Sequence, residues 1–149
     1  MQKLRITRKF MYRVALVAIA SVAANVIVLA IARMIFNAPA TFSPFFYGSV
    51  IELTAAGVIA AAAVYVCMGL IFKKRDRNKD FIWVSIVALV LSFIPDILLP
   101  FSSDADSAGA TWPIVAALML LHIIPAALVI IGFTRGIKDA TNTDAVLSQ

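Results

Sequence analysis

Four long apolar stretches, separated by three short polar ones, make up most of this chain. They run over about 14–36, 47–72, 81–101 and 112–133. The first has roughly 23 residues and as a helix would reach about 34 Å, enough for a hydrocarbon core of about 30 Å. A signal peptide would have a shorter apolar region, so 14–36 reads as an uncleaved span with Tyr12 at the interface. The separators are NAPATFSPFF (37–46), KKRDRNKD (73–80) and SSDADSAGAT (102–111). The pattern predicts an all-α fold, a four-helix transmembrane bundle. A basic N-terminus (1–13) precedes a single transmembrane domain (14–133), and a polar tail (134–149) follows it.

Finer periodicity assigns faces within the spans. Ala18, Ser21, Asn25 and Ala32 recur at helical spacing and form a small, polar stripe suited to a neighbouring helix. The second span is almost entirely Ala and Gly from Ala55 to Ala63, and Gly57 with Ala61 fits a small-xxx-small interface. It is expected to be the central packing helix. In the third span Ser85, Ala88, Ser92 and Asp96 fall on one face.

Composition strengthens this picture. Of 149 residues, 62% are apolar and 14% charged, and the mean hydropathy is +0.98. Ordinary globular chains are about 45–50% apolar and about 25% charged. The net charge of +5 does not point to nucleic acid. Ten of the thirteen Lys and Arg lie in 1–13 and 73–80, each abutting an apolar run, where they read as topology signals and lipid-headgroup contacts. With the tail, these segments hold twelve of the thirteen, which predicts both termini in the cytoplasm. Cys67 stands alone, excluding an intrachain disulfide and a thiolate cluster, and is expected to be a buried apolar side chain.

The candidate chemistry is the set of polar groups inside the spans. Asp96 and His122, the single histidine, are each preceded or followed by a helix-bending proline, Pro95 or Pro125. Side chains lean toward their helix N-terminus. Asp96 and His122 on adjacent antiparallel helices therefore lean toward each other, and a direct or one-water contact is expected. Pro95 strands the Leu91 carbonyl and Pro125 that of Leu121. In a membrane such carbonyls must find partners, and Ser92 and His122 are the nearby ones. Asp96, His122, Ser92, Glu52 and Asn25 form the expected ligand- or proton-binding set. Arg33, with the two prolines, is assigned a structural or snorkelling role. The alternatives are an Asp96 carboxylate reaching the headgroups and a His122 packed against one carbonyl.

Several chemistries are set aside. One histidine cannot ligate a bis-His haem, and convergent zinc ligands are too few, so no metal or cofactor is expected. No Gly-rich phosphate loop or nucleophile elbow is present, and no catalytic residue is assigned. Small four-span multidrug exporters carry their essential acid in the first helix, where this chain has only Arg33.

The last span carries a resemblance. Ala116, Ala117, Leu118, Met119, His122, Ala126 and Ala127, ahead of Gly132 to Arg135, resemble a family of small bacterial four-span membrane proteins without assigned function. That resemblance implies the bacterial inner membrane and supplies no activity. Three functional expectations stand side by side. The first is a ligand- or proton-linked carrier with an outward-facing pocket between the last two helices. The second is an accessory protein packing against a larger membrane partner or against itself. The third is an intramembrane enzyme acting on a lipid-like substrate, favoured if the pocket opens sideways to lipid.

Overall fold

The computed structural model describes residues 8–36, 42–71, 76–102 and 110–135. They form four helices, α1 (Arg8–Phe36), α2 (Tyr47–Ile71), α3 (Arg77–Leu98) and α4 (Trp112–Thr134). Each is long and apolar enough to cross a membrane, which points to a membrane protein. Lys3, Arg5, the residues 73–75, the acidic stretch 103–109 and the tail beyond 135 lie outside the described residues.

Helix boundaries follow local chemistry. α1 begins within the basic segment, so Arg8, Lys9 and Arg13 are helical. α3 begins four residues before the apolar run because Asp76 caps it. The Asp76 side chain accepts from the backbone N–H of Asn78 at 3.2 Å and Lys79 at 3.5 Å, satisfying donors that a helix start leaves open. At the other end of the bundle, short 3₁₀ turns at Ser43–Phe45 and Leu99–Phe101 each hold a proline. Both α3 and α4 run on as helix through Pro95 and Pro125.

α1 packs along α2 on one side and α4 on the other, α4 packs along α3, and α2 meets α3 only sparsely. Around the bundle the order is therefore α2, α1, α4, α3, with an incompletely closed seam between α3 and α2. α1 and α4 hold the middle of this order and α4 buries the most side chains, seven, whereas the Ala-rich α2 was expected to be the centre. The reason lies in side-chain size. The small residues of α2 allow close approach on one face, but Ala56, Gly57, Ala60 and Ala63 lie on exposed faces. The branched side chains of α4 reach neighbours on several sides. Cys67 is exposed on α2, contrary to the buried place expected for it.

The interior has two apolar cores. Near the Phe42 end, Leu29, Phe42, Phe45, Ile114 and Leu118 cluster. Near the Asp76 end, Val58, Tyr65, Phe81, Val129 and Phe133 cluster, with Phe10 stacked on Tyr65 at 5.9 Å. A polar layer of Ser21, Asn25 and Thr54 lies between them, all buried.

Candidate functional site

Asn25 ties that layer together. Its Nδ2 donates to Thr54 Oγ1 at 2.9 Å and to the Leu121 carbonyl at 2.9 Å. Leu121 is the residue whose carbonyl Pro125 deprives of its helical partner. The stranded acceptor is thus satisfied from α1, not by Ser92 or His122 as the sequence suggested. Ser92 instead donates to the Leu89 carbonyl of its own helix at 2.7 Å. Thr54 belongs to this layer and went unnoticed in the sequence, where it borders an Ala-rich run.

The next residue of α4 is His122. Its Nδ1 lies 2.9 Å from the Leu118 carbonyl and 3.3 Å from Asp96 Oδ2. The structure therefore brings the two expected partners together. The contact is within ion-pair reach, but the N–H is aimed at Leu118. Asp96 Oδ2 is left buried with no hydrogen-bond donor among the described residues. Asp96 as a whole is only 7% exposed. A carbonyl can only accept, so its bond to Nδ1 assigns the ring proton to that nitrogen. Nε2 is then the acceptor in the neutral ring. It is neither buried nor bonded among the described residues, and the His122 side chain is 41% exposed.

What His122 faces is a cavity of about 380 Å3. Its floor is α4, and its walls are facing stripes of α2 and α3. Among the described residues Asn25, Thr54, Ser85, Ser92 and His122 are its polar lining, and no Lys, Arg, Asp or Glu lines it. Leu53, Gly57, Ala60 and Val64 on one wall and Val84 and Ala88 on the other are exposed mid-helix. The cavity therefore opens sideways through the α2–α3 seam, where a pocket between the last two helices had been expected. Sparse contact between α2 and α3 is what leaves the seam open.

The remaining predicted residues lie elsewhere. Asp96 sits behind His122, off the cavity wall. Glu52 is exposed on α2 outside the cavity and has no ion-pair partner among the described residues. Arg33 donates to the Phe45 carbonyl at 3.1 Å and stands over the Tyr47 ring at 5.4 Å, pinning the turn between α1 and α2.

Residues 5–139 match a protein-family model described as a family of unknown function, DUF6069. The chain belongs to that family. No curated protein and no solved structure matches it. Membership in DUF6069 assigns no activity, so the cavity and the Asp96–His122 pair carry the functional argument.

Proposed function

We propose that this DUF6069 protein is a multi-pass protein of the bacterial inner membrane, with both termini cytoplasmic, that binds a small amphiphilic molecule from the bilayer in the α2–α3 groove. The observation that carries this reading is the lateral opening of an uncharged, mostly apolar cavity. Its volume of about 380 Å3 falls in the range of small-molecule sites, roughly 300–1,000 Å3. The few polar groups on the floor would fix a ligand's orientation while the apolar walls hold its chain.

The test uses the full chain in membranes and an alkyl probe bearing a photoactivatable diazirine. Label is expected on residues 57–64 and 84–92, the two walls. Gly57 lies on the groove wall, and a Cβ there meets nothing within 4 Å. A Gly57→Leu protein should therefore accumulate normally and lose that labelling. Even labelling around the bundle, indifferent to Gly57→Leu, would sink the reading.

A proton-linked carrier is a second reading, favoured by the carboxylate and imidazole held 3.3 Å apart. Buried intramembrane ionisable groups of this kind recur in proton relays. Asp96→Asn should then abolish proton-coupled flux in proteoliposomes, and unchanged flux removes this reading.

A further inference from the structure

The chemistry of the groove floor restricts its occupant, and the restriction rests on the groove-binding reading above. Three observations converge. First, the bond from Nδ1 to the Leu118 carbonyl leaves Nε2 as an exposed, unbonded acceptor in the neutral ring. Second, among the described residues the groove has no cationic side chain to hold a phosphate or carboxylate, and no anionic one to hold an amine. Third, His122 is ten residues into a 23-residue helix, about 15 Å from its start and near mid-span. Charged headgroups are costly at that depth. A neutral hydroxyl is much less so, and in hydrocarbon it lacks an acceptor.

We infer that the groove selects a neutral amphiphile with a hydroxyl head, which donates its hydrogen bond to His122 Nε2 while its chain lies between α2 and α3. Asp96 does not touch the ligand. It lies on the far side of the ring, beside Nδ1, and its carboxylate favours keeping the proton on that nitrogen. Leu118 and Asp96 together position the imidazole with its acceptor edge toward the groove. Thr54 and Ser92 offer further hydroxyls on the same lining. Ser92 Oγ donates to Leu89 and keeps its lone pairs, so it can accept a second hydrogen bond beside the one at Nε2.

The test separates donor recognition from simple apolar binding. A diazirine probe with a primary alcohol head is bound to the full chain in nanodiscs. It is then competed with an unlabelled long-chain alcohol or with the methyl ether of the same chain. The ether keeps the oxygen but has no donor. The alcohol is expected to compete about tenfold better, the factor one added hydrogen bond of about 1.4 kcal/mol brings. His122→Phe should make alcohol and ether equal while apolar labelling of the walls persists. His122→Gln retains an acceptor and should keep part of the preference. Gly57→Leu should abolish binding of both. Equal competition by alcohol and ether in the unmodified protein, with both lost in Gly57→Leu, overturns the hydroxyl inference and leaves the groove reading standing. Labelling that ignores Gly57→Leu overturns both.

Discussion

At the scale of single residues, a proline inside an apolar helix strands a carbonyl, and some donor must take it up. Pro125 strands the Leu121 carbonyl, and the donor is Asn25, 96 positions from Leu121 in the chain. The sequence revealed the stranded carbonyl of Leu121 but not its partner, because a sequence neighbour such as His122 is easier to propose than a side chain on α1. Asn25→Ala is expected to destabilise the protein by about 1 kcal/mol, the scale of hydrogen bonds between membrane helices. In a Pro125→Ala background the N–H of residue 125 returns to Leu121, and the cost of Asn25→Ala should shrink. Reversible unfolding of the four proteins in mixed micelles measures this coupling. Additive losses would show that the bond contributes nothing. A second residue is as exacting. A Cβ at Gly132 would overlap Val17 Cγ2, so α1 and α4 meet there with only hydrogen between them. Gly132→Ala should cost about 1–3 kcal/mol by overpacking, and Val17→Ala should restore most of the loss.

At the scale of helices, the sequence located all four but misjudged how they associate. Their existence was legible because a bilayer span demands a long apolar run, and that demand is written residue by residue. The choice of central helix was not, since it depends on which faces meet. The Ala and Gly content of α2 suggested close packing everywhere, yet half of that surface forms the wall of an open groove. Of the stripe Ser85, Ala88, Ser92 and Asp96 expected on one face of α3, the first three line the opposite wall and Asp96 lies off it. α3 is the loosest element, burying only Phe81 and Asp96. Its Asp76 end is held by Asn78, which accepts from the Tyr65 hydroxyl at 3.0 Å and donates to the Thr134 carbonyl at 3.3 Å. One side chain thereby links three helices. That role was not legible beforehand, because Asn78 lies in a charged segment that reads as a solvated turn. Asn78→Ala should speed amide hydrogen exchange in the first two turns of α3 and leave α1 unchanged. Equal protection in both proteins would show that aromatic packing of Phe81 against Tyr65, 5.0 Å apart, is sufficient there.

At the scale of the whole molecule, the two ends of the bundle differ in kind. Arg8, Lys9 and Arg13 begin α1, Arg77 and Lys79 begin α3, and Arg135 follows α4, so alternation of direction gathers them all at one end. That end is also where Phe10, Tyr65, Phe81 and Phe133 stack and where Arg77 stands over the Tyr65 ring at 4.3 Å. The opposite end has Arg33 as its basic residue among the described ones. Basic residues in short flanking segments resist translocation, so this charge asymmetry predicts the Asp76 end in the cytoplasm. A fluorescent protein fused after residue 149 should therefore fluoresce, since it folds in the cytoplasm, and alkaline phosphatase at the same place should be inactive. Phosphatase inserted within 102–111 should be active. The reverse pattern would invert the molecule, putting Arg33, Glu52 and Asp96 in its cytoplasmic half. Either orientation leaves His122 near mid-depth, because it is close to the centre of α4. The prediction of orientation can thus fail while the groove and its hydroxyl selectivity stand, and the two must be measured separately.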